Sequence, residues 1–429
     1  MVRVFITQVC IPSNKGDQAI FQSEISLLKR IFPRIEISAS TLWSEKLFTY
    51  IEPDVHFCRP LVDLKIKGKD CPTILCPLLL VIQVLLSAMS IIFLKIHLKA
   101  PYRADTLNQF LYADLIISSG HEPFMDGSFR QNKYPIYSRT ANLFVLFWGV
   151  CDVFVAKKVF RKPFITFPQS VGPFRTFFGR QLASFIFRNL DAILLRENFS
   201  EFIKNIETKT PIYLTSDMAF LFEGCSKCNY KLDRPSVGVS PCLPHELSGV
   251  RVQTYVSAIA KVLDYLLTKH GISVVFLPSQ SERAKAATKE KVPDDLELCL
   301  MILQKMIHKD KAEIFKVQTA REFECLVRQL DLLITTRMHP SILASINCVP
   351  FVSMVYEHKQ KGLLEQLGLE NNSVNIDEVS YDVLKSVVDY SWNNRGIIKK
   401  QLSLTIPELQ KQIRDTLNEV LSKLITIKQ

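Results

Sequence analysis

The 429-residue chain is 48% hydrophobic and 22% charged, which excludes an intrinsically disordered or low-complexity protein and leaves room for two or three ordinary domains. Lysine and arginine exceed aspartate and glutamate by 53 to 42, a net charge of +11. The expected partner is therefore anionic: a phosphorylated substrate, a nucleic acid or an acidic membrane face. Eleven cysteines are too sparse for a disulfide scaffold, and an odd number cannot pair completely, so reduced thiols and a cytoplasmic setting are expected. The start, MVRVFITQVCIPS, runs straight into a polar loop without a small-residue cleavage site, and no secretory signal is expected.

From the N-terminus, VRVFITQVC reads as a buried strand. Residues 18–30 carry Ile20, Ile25, Leu27 and Leu28 at helical spacing. RIEISAS is a second strand. Residues 71–94, CPTILCPLLLVIQVLLSAMSIIFL, hold no charge and are flanked by Lys65, Lys67 and Lys69 before and by Lys95, Lys99 and Arg103 after. The length suffices for a spanning helix, but a span would put the loop at 14–17 and the strand before Gly120 on opposite sides of a bilayer, although both belong to one sheet. A segment lying in the interface of an anionic leaflet and a buried core helix are the competing readings. ADLIISSG, PFITFPQS, DAILLR and TPIYLTSD follow as strands with helices between them.

The rhythm then restarts. SVGVSP is a strand, residues 250–269 a helix, ISVVFLP, DLLITT and VPFVSM are strands, and the tail beyond about residue 381 reads helical and basic. The polar, proline-terminated CSKCNYKLDRP between the halves reads as a linker. Strand–helix alternation with short buried strands predicts an α/β fold of two doubly wound Rossmann-like domains facing a cleft. Residues 1–232 form the first, with the hydrophobic insertion at about 71–94. Residues 233–429 form the second, with C-terminal helices. Ligands of such folds bind beyond the carboxyl ends of the strands, so the polar residues just after strands are the candidates.

Asn14, Gly16 and Asp17 follow the first strand, where Gly16 permits close backbone approach and Asp17 is also a natural helix cap. Gly120, His121, Glu122 and Asp126 follow ADLII, and Gln169 and Ser170 follow PFITF. Arg196 ends DAILL beside Glu197, a possible ion-pair partner. Arg337 and His339 end DLLIT and open a helix: a planar guanidinium suits carboxylate or phosphate, and a histidine can move a proton. Tyr356 and Lys359 follow VPFVSM at the same rim, either as part of an anion site or as a solvated cap. Cys225, Cys228, Cys242 and His245 have zinc-like spacing, but they straddle the linker and the following strand, and thiols packed as small hydrophobes are the expected state rather than structural zinc. Without a zinc-finger repeat or an RNP-type aromatic motif, nucleic acid is not expected. GxxxxGK[ST] and GxGxxG are absent, so nucleotide hydrolysis and dinucleotide redox lack support.

Taken in order, N-x-G-D-x-A-I, P-Q-S-V-G-P-F, L-R-E-N-x-S, T-S-D-M-A-F-L and T-R-M-H-x-x-x-L-A-S-x-x-x-V-P-F-V-x-M-x-Y resemble the polysaccharide pyruvyl transferase family, from about residue 2 to 369. The resemblance implies a GT-B-like fold and transfer of pyruvyl from phosphoenolpyruvate onto two hydroxyls of a sugar, giving a ketal, as in the synthesis of cell-envelope polysaccharides and exopolysaccharides. It implies no cofactor beyond phosphoenolpyruvate as donor substrate and an acceptor that is a glycan. The uncharged, lysine-flanked run at 71–94, which gains little from the resemblance, motivates a lipid-linked saccharide as acceptor and a cytoplasmic protein peripheral to an anionic membrane face. Arg337 and His339 match the donor-site R-x-H, Arg196 the arginine of L-R-E, and Asn14, Gly16 and Asp17 the first glycine loop. The donor would sit on the second domain and the acceptor on the first, with His339 as acid or phosphate ligand and Asp17 or His121 as base. The chain departs from the family where Ser118-Ser119-Gly120-His121 replaces a run of glycines, which reshapes the pocket floor. The alternatives are a GT-B nucleotide-sugar glycosyltransferase and a non-catalytic glycan-binding protein at a membrane surface.

Overall fold

The computed structural model of the chain describes residues 1–9, 13–42, 51–63, 65–66, 69–70, 76–96, 98–126, 136–197, 206, 208–225, 227–244, 250–280 and 294–426. Packing divides it into two compact units. The first comprises Met1–Pro12, Glu24–Asp217 and Ile413–Gln429; the second comprises Ser13–Ser23 and Met218–Gln412. This differs from a single cut at 232. Residues 13–23 and the stretch read as a linker pack within the second unit, where Cys228 forms a disulfide with Cys325, 97 residues away. That pairing corrects the expectation of uniformly reduced thiols: linear spacing says nothing about which helix a loop meets.

The first unit is built on a parallel sheet. Strand β1 (Val2–Val9) is buried from residue 4 onward because both faces are covered. It is followed by α1 (Lys15–Ile31), β2 (Ile35–Thr41), β3 (His56–Cys58), helices α2 (Cys76–Lys95) and α3 (Ala104–Tyr112), β4 (Leu115–Ser118), α4 (Ile136–Val153), β5 (Phe164–Thr166) and α5 (Phe177–Arg188). The strand order is β3-β2-β1-β4-β5, with Val4 opposite Leu115 and Thr7 opposite Ser118. Strands β6 (Ile193–Leu195) and β7 (Ile212–Leu214) pair in parallel with each other, and bridges Ile165–Ala192 and Gln169–Leu195 join them to β5. Phe5, Phe110, Ile116, Phe164 and Phe187 anchor the core.

Residues 76–95 form one continuous helix, α2, while 71–75 lie outside the described residues. Only 17% of Leu78–Lys95 is buried, which overturns the core-helix reading. The connection carrying α2 runs between β3 and β4 of one sheet, so a single crossing of a bilayer would split that sheet.

The second unit repeats the plan: β8 (Ser236–Ser240), α6 (Val250–His270), β9 (Ser273–Phe276), α7 (Asp295–Lys305), β10 (Ala312–Ile314), α8 (Ala320–Val327), β11 (Leu332–Thr335), α9 (Met338–Ile346), β12 (Phe351–Val355), α10 (His358–Leu367), β13 (Ser373–Asn375), α11 (Tyr381–Asn393) and the start of α12 (Arg395–Thr426). All the strand pairs are parallel, in the order β10-β9-β8-β11-β12-β13. Capping boxes at Asp294/Glu297 and Thr319/Glu322 open α7 and α8. The short edge strands β3, β10 and β13, three residues each, carry too little alternation to be read from sequence.

Phe110 on α3 meets Phe5 on β1 edge-to-face, ring centroids 4.9 Å apart, and both are fully buried. Phe110→Ala is expected to cost about 3–5 kcal/mol in urea unfolding. A loss below about 1 kcal/mol would show that this helix does not pack on β1 as described.

Candidate active site

In a doubly wound sheet the ligand crevice opens where the strand order reverses, at the carboxyl ends of the two strands flanking that point. In the second unit the reversal falls between β8 and β11. Ser240 is in register with Thr335, and Thr336 N donates to Ser240 O at 3.2 Å. The next residues are Arg337 and, inside the first turn of α9, His339. The R-x-H pair thus stands where the fold places a ligand, with the positive end of a helix beside it.

Arg337 is held from one side. Its Nε and Nη2 each donate to Asp295 at 2.7 Å, a two-pronged pair in which the arginine side chain is 14% and the aspartate 0% exposed. Asp295 also accepts from Ser279 Oγ at 3.1 Å and from Gln280 N at 2.9 Å. Burial works against the arginine's charge and Asp295 outweighs it, so the guanidinium is held charged above its ordinary range. Asp295 escaped the sequence reading because an acid at a helix start looks like a cap.

The loop after β1 closes on His339. Asn14 Oδ1 accepts from Gly16 N at 2.9 Å, Asn14 bridges Gln280, and Lys15 N donates to Ser279 O at 3.0 Å. Gln18 accepts from Ala320 N at 2.7 Å and donates to Gln318 O at 3.2 Å. A Cβ on Gly16 would lie 2.3 Å from the His339 ring and 2.5 Å from its Cβ. Only glycine allows that approach. Asp17 is half-buried in the same first turn.

The rim residues are also drawn in. Tyr255 OH and Thr336 Oγ1 lie 2.6 Å apart, and Gln360 donates to Thr336 O at 3.0 Å while accepting from Tyr356 N at 3.0 Å. Burial and the nearby Glu357 and Cys242 push the Tyr356 phenol well above its ordinary value, against the pull of Lys359 and Arg337. Lys359 pairs with Glu357 at 2.6 Å. Of the zinc-spaced residues, Cys228 is in the disulfide, Cys225 Sγ faces Arg321 O, Cys242 neighbours Arg337 and Tyr356, and His245 lies outside the described residues.

In the first unit the order reverses between β1 and β4, and the remaining sequence candidates gather around that point. Arg196 is 3% exposed; its Nε donates to Ser170 Oγ and its Nη1 to Asp217, both at 2.7 Å, and Glu197 lies 3.2 Å away. Glu197, Asp217 and Glu122 together offset the burial that opposes its charge. Burial lifts the Glu197 carboxyl to about 7, with Arg196 and a bond from Ser170 acting against it. Gln169 and Ser170 are fully buried, so they build the floor rather than its surface. His121 is half-buried, and its carbonyl accepts from Ser170 N at 3.2 Å. Asp126 ties down the next loop by accepting from Thr176 N at 2.8 Å, and Gly179 has no room for a Cβ against it.

The serines that replace a glycine run have partners of their own. Ser118 Oγ donates to Gln8 at 2.8 Å, and Ser119 Oγ donates to Glu24 at 3.0 Å, while Gly120 N donates to the same carboxylate. Glu24, on α1, is fully buried, and burial raises its carboxyl to about 8 against the bonds from Gly120 and Ser119. Its position on a helical face reads as core, and no sequence signal marks it.

Two outcomes check this geometry. Helix propensity alone predicts that Gly16→Ala gains up to about 1 kcal/mol, whereas the clash with His339 predicts a loss of about 1–3 kcal/mol; urea unfolding gives the sign. Folded Glu24 keeps its proton to about pH 8, while the unfolded chain releases it near 4.5. The folded state therefore binds more protons in that window, and stability falls as pH rises through it, by on the order of 5 kcal/mol, levelling above 8. In Glu24→Gln this part of the decline should vanish. Equal slopes in the two proteins would show that Glu24 is ionised when folded.

The sequence profile of the polysaccharide pyruvyl transferase family matches residues 14–358. Amylovoran biosynthesis protein AmsJ of Erwinia amylovora is 24% identical over 269 residues, a match covering 58% of this chain and 62% of that protein, so the chain spans less than two thirds of the relative's length. Among solved structures, a putative UDP-N-acetylglucosamine 2-epimerase from Listeria monocytogenes superposes with a TM-score of 0.58 at 12% identity, covering 98% of this chain and 96% of that one. The UDP-GlcNAc 2-epimerase of Neisseria meningitidis, bound to UDP-GlcNAc, gives 0.57 at 9%, covering 99% and 100%. A ugt transferase of Siraitia grosvenorii in complex with UDP gives 0.54 at 11%, covering 99% and 100%. At such identities the likeness shows the fold, GT-B-like α/β with two Rossmann-like domains. With its strand-end motifs in order and the profile matching most of its length, the chain belongs to the polysaccharide pyruvyl transferase family.

Proposed function

We propose that this chain transfers pyruvyl from phosphoenolpyruvate to a saccharide of a cell-surface or lipid-linked glycan, forming a ketal, at the cytoplasmic face of a membrane. The observation that carries this reading is the placement of Arg337 and His339 at the strand-order reversal of the second unit, with Gly16 against the histidine ring. Phosphoenolpyruvate brings a carboxylate and a phosphate. Arg337, oriented by Asp295, has Nη1 left over from that pair, and the N-terminal end of α9 adds the positive end of a helix dipole. The net charge of +11 aids capture.

The reaction needs one proton delivered to the methylene carbon, which turns C2 into an oxocarbenium-like centre. A sugar hydroxyl bonds to C2 and loses its proton. The C2–O bond to phosphate breaks, and a second hydroxyl bonds to C2. Of the two hydroxyl protons, one replaces that given to the methylene and the other leaves with phosphate. His339 is the acid or a phosphate ligand; Asp17, in the same unit, is the base, with His121 of the first unit the other candidate. Arg196, sealed from solvent, acts through Ser170 and Asp217.

Phosphoenolpyruvate at about 100 times its Kd should add about 2.7 kcal/mol of stability, seen as a thermal shift that inorganic phosphate and UDP-sugars do not match and that Arg337→Ala abolishes. His339→Ala that still binds the donor but no longer releases phosphate with an acceptor assigns the acid role; loss of binding assigns the phosphate contact. A shift with a UDP-sugar and none with phosphoenolpyruvate would move the chain to the nucleotide-sugar glycosyltransferases.

A further inference from the structure

Helix α2 rests Leu80, Ile91 and Leu94, only partly buried, against the core. Its buried positions are polar: Gln83, Ser87 and Ser90, at 6%, 7% and 0% exposure, spaced four and three residues apart along one stripe. Gln83 both donates to Asp63 O and accepts from Asp63 N at 2.7 Å, and Ser90 Oγ accepts from Tyr102 N at 2.9 Å. The opposite stripe is apolar and open: Leu78 (59%), Val81 (56%), Leu85 (63%), Met89 (39%), Ile92 (59%) and, just past the helix, Ile96 (58%). Helices of water-soluble proteins present the reverse pattern, apolar stripe to the core. An apolar stripe about 27 Å long left in water is an interaction surface.

We propose that this face docks, lying in the plane, into the anionic leaflet of a lipid bilayer. Three observations select that occupant. Gln83 and Ser90 of the polar stripe are hydrogen-bonded to Asp63 and Tyr102 of the first unit, which ties the helix to that unit and opposes a span. No acidic residue occurs in the sequence between 71 and 104, while Lys95 and Lys99 are exposed at the C-terminal end of the stripe. Arg103 is not counted, because it stacks on Tyr102 and faces Asp63 at 3.6 Å. An apolar face bordered by cations is the chemistry of an interfacial helix on an acidic surface. The proposal does not rest on the pyruvyl-transfer reading.

The test is flotation of the full chain with phosphatidylcholine vesicles, with and without phosphatidylglycerol. The wild type should float with the anionic vesicles. Neutralising Lys95→Gln and Lys99→Gln together should weaken partitioning by roughly 30-fold. Leu85→Glu with Ile92→Glu should abolish flotation while the melting temperature and any phosphoenolpyruvate shift stay unchanged. In an otherwise intact chain, the indole introduced by Leu85→Trp should shift its emission to the blue on anionic vesicles and be quenched by brominated lipid, a readout independent of the double variant's folding. Wild type remaining at the bottom of the gradient, the double-glutamate variant floating like wild type, or emission of the Leu85→Trp variant that brominated lipid leaves unquenched would each overturn the proposal. So would a wild-type dimer that does not float and becomes monomeric in the double variant, since the face would then belong to a second copy.

Discussion

The missing side chain of Gly16 sets the geometry around His339. Because nothing projects from that Cα, the first turn of α1 closes on the imidazole, and Asn14, Lys15 and Gln18 then reach Ser279, Gln280, Gln318 and Ala320. Ser279 and Gln280 in turn hold Asp295, and Asp295 holds Arg337. A close approach at one glycine is thereby linked, through backbone contacts and one buried carboxylate, to the orientation of the guanidinium. Such a chain of contacts fixes charges before a ligand arrives, which is what electrostatic catalysis requires.

Both strand-end arginines sit within carboxylate partners, and the two environments differ. Arg337 has one partner in a two-pronged pair and remains 14% exposed. Arg196, 3% exposed, has Asp217, Glu197 and Glu122 around it. At Glu197 burial outweighs the pull of Arg196 and lifts the carboxyl to about 7, with Glu122 and Asp217 adding to the rise. Glu24 shares that buried region through Ser119, Gly120 and the nearby Asp217. Burial thus raises two carboxyls of the first unit, Glu24 and Glu197, while in the second unit Asp295 holds the Arg337 guanidinium charged.

The replacement of a glycine run by Ser118-Ser119-Gly120-His121 looks, in the sequence, like an intrusion into the pocket floor. In the fold the two hydroxyls point to Gln8 and Glu24, so the added groups satisfy buried partners instead of occupying the floor.

The sequence alone determined the strand–helix rhythm, the restart in the second half, the glycine loop, the R-x-H pair and the uncharged, lysine-flanked run at 71–94, because each depends on local periodicity or on a short spacing. Gly16 and His339 both stand out in it, but their contact does not, since 323 residues separate them and linear order carries no distance. Tertiary structure alone decided that Asp295 pairs with Arg337, that Glu24 is buried against Ser119, that Gln169 and Ser170 are floor and not surface, and that Cys228 meets Cys325. The same holds for α2: its composition fits a core helix as well as an interfacial one. Only the packing of Gln83, Ser87 and Ser90 inward shows which face is left outside, because burial is a property of neighbours and not of the residue itself.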